Sequence, residues 1–262
     1  MIPRAHITAW RSVAPWQNDA QVEQDLVISR CLVEIFSDEM LREHLAFRGG
    51  TAIHKLHLAP AVRYSEDIDM IQIKAGPIGP VFDRIREKLY FLDKPQRRQR
   101  NRNNALIFRF ESEVPPVVNM KLKLEINCRE HLAIFDIVQK PLKLNSAWFS
   151  GETRITTFTL EELLGSKLRA LYQRKKGRDL FDLWYALVSK HVNQSNIIVA
   201  FLKFMDAENA KVSHAQFDQN LKAKIEDREF IRDIQLLTRP GLEYDTRAAY
   251  ELVMRDLVSK LE

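Results

Sequence analysis

Two cysteines in 262 residues leave little room for sulfur chemistry. Cys31 and Cys128 stand far apart and lack metal-ligand spacing. A disulfide framework is therefore excluded, and the pair reads as reduced thiols of a cytosolic protein. No apolar run approaches the roughly 18 residues of a membrane span. The opening MIPRAHITAWRSVAPW lacks the apolar core of a signal peptide. Internal repeats, long low-complexity segments and a Gly- or Pro-rich linker are absent as well. A large excess of either charge is lacking too: the net +5 permits an anionic partner without requiring one. What is present is an ordinary globular balance, 45% hydrophobic and 29% charged, long enough to bury a real core as one large domain or two small ones.

Along the chain, residues 1–20 read as irregular, with Trp10 and Trp16 marking a segment that packs on the body. Val22, Leu26, Val27, Cys31, Leu32 and Ile35 recur at helical spacing, and DEMLREHLAF reads as a short helix capped by Asp38. Paired glycines in FRGGTAIHKL mark a tight turn into a helix. Asp67 to Ile73 reads as a strand, VFDRIREKLYFL as a helix and ALIFRFES as a strand. The asparagine-rich basic tract RRQRNRNN (97–104) suits a loop. MKLKLEIN (120–127) alternates strictly, with Leu122, Leu124 and Ile126 on one face and Lys121, Lys123, Glu125 and Asn127 on the other. Beyond about residue 155 the texture becomes helical: TLEELLGSKLRALYQR opens on Thr159, with Glu162 at capping-box spacing, and GRDLFDLWYALVSK follows. These patterns predict a mixed α/β part over 1–155 and an all-helical part over 156–262.

The chemistry gathers around YSEDIDM. Asp67 and Asp69 are two apart on a strand, so both carboxylates share a face, and both stay ionised at neutral pH only beside a cation. Glu125, on the polar face of its strand, is the natural third carboxylate. Such a set can hold one or two Mg²⁺ ions, which prefer oxygen ligands and commonly bind substrate phosphates as well. The Gly49-Gly50-Thr51 turn lets backbone N–H groups approach a phosphate at the start of a helix.

Each feature also has a bland reading. A Gly-Gly pair can be a simple turn, and acidic residues at a strand start are commonly solvated. Glu125 can belong to the exposed face of its strand, with its two lysine neighbours, Lys121 and Lys123, as ordinary partners. Arg178 and Asp182, four apart, can form a structural pair, with Asp179 a helix cap. Lys167, at the edge of an apolar stripe, can snorkel. The arginines at 97, 98, 100 and 102 can hold a polynucleotide backbone or form a charged hairpin tip. His54 and His57 lack a third zinc ligand.

The order FRGGTAIHKL, RYSEDIDM and SKLRALYQRKKGRDLFDLW resembles the AbiEii/AbiGii toxin family of the nucleotidyltransferase superfamily, with its polymerase-β-like fold. The resemblance runs from about residue 47 to 184. It implies an α+β fold: a mixed sheet flanked by helices, followed by a helical C-terminal part. Gly49, Gly50 and Thr51 match the phosphate-binding turn, Ser65 a nucleotide or metal contact, and Asp67 and Asp69 the metal pair. Lys167 matches a phosphate-contacting lysine, Arg178, Asp179 and Asp182 complete the site, and Glu125 corresponds by strand position to the third carboxylate. The spacer between the glycine turn and Asp67 is longer than is usual in the superfamily.

The function implied is a cytoplasmic, Mg²⁺-dependent toxin that transfers a nucleotide from a nucleoside triphosphate to an acceptor, RNA such as tRNA above all. The partner implied is a cognate antitoxin that is a DNA-binding autoregulator. Two other readings stand beside it: a non-catalytic nucleotide- or RNA-binding module, and a metal-dependent nuclease.

Overall fold

A computed structural model describes residues 2–100, 103–128 and 133–261. The chain divides into two compact units, Met1–Phe158 and Thr159–Glu262.

The first unit is built on a seven-stranded sheet in the order β3-β4-β5-β2-β1-β7-β6. Its strands are β1 (Leu45–Arg48), β2 (Asp67–Gln72), β3 (Gln96–Arg100), β4 (Asn103–Glu111), β5 (Asn119–Asn127), β6 (Val138–Asn145) and β7 (Ser150–Thr157). β2 runs parallel to β5 and antiparallel to β1, and β1 pairs in parallel with β7, so the sheet is mixed. Met120, Leu122, Leu124 and Ile126 are buried on β5 while the residues between them are not, as the alternation predicts. Ile68 and Met70 of β2 share that buried face.

Helix α2 (Asp19–Phe36) is capped by Asn18, whose side chain accepts from the Gln21 N–H, and packs against β5, β6 and β7. Asp38 caps α3 (Glu39–His44) in the same way, and α3 packs against α5 (Ile78–Lys88), the helix expected from VFDRIREKLYFL. Arg30 of α2 lies 3.8 Å from the Phe91 ring centroid, with Trp148 and Phe149 at 4.7 and 4.8 Å. This cation–π cluster ties the β6–β7 turn to the helix layer.

Three expectations need correction. Residues 4–10 form a helix, α1 (Arg4–Trp10), although Trp10 and Trp16 are buried as anticipated. The segment read as one helix ends at His44, because Leu45, Ala46 and Phe47 are wholly buried as a strand between β2 and β7. Arg97 and Arg98 belong to an edge strand rather than a loop, where charged side chains keep the edge soluble. Asn101 and Arg102 lie outside the described residues. The hairpin β6–β7 carries no strand signal that was read from the sequence; β6 buries only Leu144.

The second unit is helical: α6 (Leu160–Gln173), α7 (Gly177–Ser189), α8 (Gln194–Asp206), α9 (His214–Ile225), α10 (Arg228–Gln235) and α11 (Thr246–Asp256). Thr159 caps α6, and Gly165 lets α8 approach closely, since a Cβ there would meet the Ile197 carbonyl at 2.9 Å. Lys224 of α9 donates to the carbonyls of Leu171 and Tyr172, closing the C-terminal end of α6. Among the described residues, no helix is long and apolar enough to cross a membrane.

Candidate active site

Gly49 and Gly50 follow β1 directly and open a short helix, α4 (Gly49–Ala52), which continues as a π-helical turn, Ile53–His57. Gly49 has φ +80°, in the left-handed region that favours glycine. A Cβ on Gly49 would occupy the space taken by the Asp69 carboxylate. A Cβ on Gly50 would run into the guanidinium of Arg63, a buried residue that also donates to the Tyr64 carbonyl. The glycines thus bring the backbone of the turn against β2.

Thr51 is buried, with its Oγ1 2.6 Å from the Asp67 carbonyl and 2.8 Å from Ser65 Oγ. A carbonyl can only accept, so the Thr51 proton goes to Asp67 O and Ser65 donates to Thr51. The two hydroxyls expected to meet phosphate are therefore coupled, and both fix the entry of β2.

Asp67 and Asp69 are half-buried on one face of β2. Burial, then the charges of Asp69 and Glu66, push the Asp67 carboxyl up to about 6, against the opposing pull of Lys123 and Lys121. Burial first, and the neighbouring carboxylates second, thus make ionisation of Asp67 costly. Glu125 is the direct register partner of Asp69 on β5 and forms an ion pair with Lys123. Among the described residues, no three His, Cys, Asp or Glu side chains converge as a metal cage. The expected trio is therefore an aspartate pair with Glu125 beside it in register.

Lys55, in the π-helical turn, reaches back to α2: its Nζ lies 3.0 Å from both Asp25 oxygens and 2.9 Å from Ser29 Oγ. Trp10 Nε1 donates to the same Asp25 at 3.0 Å. Neither Lys55 nor Arg63 was read as a site residue. The only local signal is a cation within a few residues of the glycine turn or of Ser65.

In the helical unit, Lys167 is buried, with Nζ 2.8 Å from Asp179 Oδ1 and 2.9 Å from Asp182 Oδ2. Asp179 also accepts from Arg174 Nε at 2.7 Å and Nη2 at 2.9 Å. Burial alone would raise the Asp179 carboxyl, but Lys167 and Arg174 outweigh it and hold the group below the usual carboxylate range. Arg178 faces Asp233 rather than Asp182: its backbone N–H donates at 3.2 Å and its Nε lies at 3.9 Å. The snorkelling reading of Lys167 and the cap reading of Asp179 both fail, because each is enclosed in this network.

With this geometry in place, the sequence profile of the family described as nucleotidyl transferase AbiEii toxin, type IV toxin–antitoxin system, matches residues 30–252. The chain belongs to the AbiEii family. The fold is shared with MenT4, a nucleotidyltransferase toxin of Mycobacterium tuberculosis H37Rv, at TM-score 0.66 and 16% identity over 100% of this chain and 91% of that one. A candidate nucleotidyltransferase from H. pylori matches at TM-score 0.55 and 17% identity, over 93% and 96% of the two chains. No curated protein sequence matches the chain.

For this AbiEii-family chain, the first unit brings together Gly49, Gly50, Thr51, Ser65, Asp67 and Asp69, with Glu125 one strand away. Gly49→Ala is expected to cost about 2 kcal/mol or more, because strain at positive φ adds to a clash with the Asp69 carboxylate. Thermal denaturation checks it, and a variant as stable as the wild type would show that the turn tolerates a side chain.

Proposed function

We propose that this AbiEii-family nucleotidyltransferase uses Mg²⁺ and a nucleoside triphosphate to add a nucleotide to RNA, with tRNA the leading acceptor. The observation that carries the proposal is the approach of the glycine turn to the aspartate pair. Gly49 lies directly against the Asp69 carboxylate, and Thr51 of the same turn is hydrogen-bonded to the backbone carbonyl of Asp67, whose own carboxyl is pushed up by burial and by Asp69.

The donor set fits Mg²⁺. Two aspartates on one strand face offer oxygen ligands, and the cost of ionising Asp67, held up at about 6, is one that a bound cation shared with substrate phosphates would relieve. Asp67 and Asp69 would hold it, with Glu125 adjacent. When bound, the ion neutralises phosphate charge and favours the alkoxide form of an acceptor hydroxyl.

The residues of the chain position the rest. Gly49 to Thr51 orient the triphosphate, while the Thr51–Ser65 pair keeps β2 and its carboxylates in place. From the helical unit we carry over Lys167 as a phosphate contact on the family match of its motif alone; its Nζ pairs with Asp179 and Asp182. The acceptor oxygen forms a bond to the α-phosphorus as the bond to the β-bridging oxygen breaks. Pyrophosphate leaves, and the acceptor proton passes to a carboxylate of the acidic face. Positioning and charge complementarity supply the rate. Membership of a type IV toxin–antitoxin family supports a cognate antitoxin, which we take to be a DNA-binding autoregulator, and growth arrest as the outcome.

The test is the mass of tRNA incubated with protein, Mg²⁺ and each triphosphate in turn. A gain of nucleotide that is lost with chelator and in Asp69→Asn supports the reading. Shortened RNA would make the protein a nuclease, and unchanged RNA and protein fractions with every triphosphate would overturn the transfer reading.

A further inference from the structure

The polar face of the sheet continues beyond the aspartate pair. Register fixes its rows: Asp69 lies beside Glu125, which faces Ala105, which faces Arg98; Asp67 lies beside Lys123, which faces Ile107, which faces Gln96. One step further along, Arg109 of β4 lies directly opposite Lys121 of β5. Arg98, Arg109 and Lys121 are all exposed, while Ala105 and Ile107 form a buried floor between them.

The charge balance on this face is uneven. Glu125 is already engaged with Lys123, and Glu111 sits at the far end of β4 beside Asn119. Arg98, Arg109 and Lys121 have no acidic partner within ion-pair distance among the described residues; Arg109 donates only to the Gln96 side-chain oxygen, at 3.1 Å. Like charges directly opposite on neighbouring strands disfavour a sheet, yet Arg109 and Lys121 are paired that way with nothing anionic between them. An anionic ligand lying across the strands would remove that repulsion.

We infer that the β5–β4–β3 face is the track on which the phosphodiester backbone of the RNA acceptor lies, held by Lys121, Arg109 and Arg98. Strands are spaced about 4.8 Å apart. The three cations therefore stand roughly 5, 10 and 14 Å across the sheet from the aspartates, about the length of four stacked nucleotides at ~3.4 Å each. The track leads the acceptor's terminal hydroxyl toward β2 and reads no base sequence, since contacts to phosphates position a chain without specifying it. The inference rests on the transfer reading above but is tested apart from it.

The variant is R98E/R109E/K121E, in which residues 109 and 121 still face a like charge, so the fold takes on no new kind of cross-strand burden. R98Q/R109Q/K121Q serves beside it. Affinity for bulk tRNA and for a short single-stranded oligoribonucleotide is measured against salt, and triphosphate binding by the rise in melting temperature with Mg²⁺ present.

We expect charge reversal to weaken RNA binding roughly tenfold or more, and the glutamine variant to lower the log–log salt slope by about 2, from ~0.7 per lost contact on a single strand. The triphosphate-dependent rise in melting temperature should persist in R98Q/R109Q, which keeps the Lys121 charge near Asp67. RNA affinity and salt slope equal to the wild type would overturn the inference. So would wild-type protein that labels a protein fraction and binds no RNA, although transfer itself would then stand. RNA bound through this face without any transfer would sink the transfer reading and leave the track in place.

Discussion

Asp67→Asn is expected to abolish nucleotide transfer and, in chelated protein at pH 8, to raise the melting temperature. Burial and the neighbouring Asp69 and Glu66 charges lift the Asp67 carboxyl from an ordinary value of 3.8 to about 6. An acid raised in this way binds its proton more tightly when folded, so its ionisation works against folding. The penalty is absent below pH 3.8, grows up to about pH 6 and is complete above it. Two pH units correspond to about 2–3 kcal/mol, which the amide, unable to ionise, does not incur. The stability gain should vanish as the pH falls toward 4. Transfer should drop by roughly a thousandfold, equivalent to the several kcal/mol that a metal-held phosphate contributes. Melting curves with and without Mg²⁺ check both halves: Mg²⁺ should stabilise wild type and leave Asp67→Asn unmoved. A variant that melts lower than wild type at pH 8 would mean that the acidic pair is already neutralised by the protein. A variant that transfers normally would remove Asp67 from the chemistry.

Asp179→Ala should be strongly destabilising in the helical unit, by about 3 kcal/mol, because it leaves the buried Lys167 with Asp182 as its remaining carboxylate and opens a void where a wholly buried group stood. The carboxyl is held below its ordinary 3.8 by those two cations, with burial opposing. Its contribution is therefore fully present above the ordinary carboxylate pKa and is lost as the pH falls through the depressed value. Urea denaturation should show a wide gap between wild type and Asp179→Ala at pH 7, and a narrower one in strong acid. Equal midpoints at pH 7 would mean that Lys167 and Asp182 suffice to join α6 and α7.

Legibility in the sequence followed the reach of the interactions. β5 could be read because one face is buried and the other is not, which writes a period of two. The helices α2, α6 and α7 carried caps or apolar stripes of their own. Strand β1 could not be read: four residues continue the apolar pattern of α3, and only neighbours on both sides make them extended. β3 hid behind its arginines, since an edge strand is free to look like a loop.

At the site, Asp67, Asp69 and the glycines were legible because they lie within one local turn-and-strand pattern. The partners of the cations were not. Lys55 meets Asp25 thirty positions away, and Arg178 meets Asp233 across fifty-five. Such pairings leave no local period: spacing put Lys167 at the edge of an apolar stripe and the family motif marked it as a phosphate contact, but neither pointed to the carboxylates of Asp179 and Asp182 that enclose it.

The π-helical turn has a practical corollary for anyone trimming this protein. Recognisable family sequence begins at residue 30, but Lys55 is anchored to Asp25, which in turn holds Trp10. A version starting at residue 30 would keep every motif of the glycine turn and remove its anchor at Asp25. The leading segment thus serves two ends at once, bracing the glycine turn through Asp25 and covering the sheet through Val22, Leu26 and Val27, so that trimming it should loosen the turn and cost stability together.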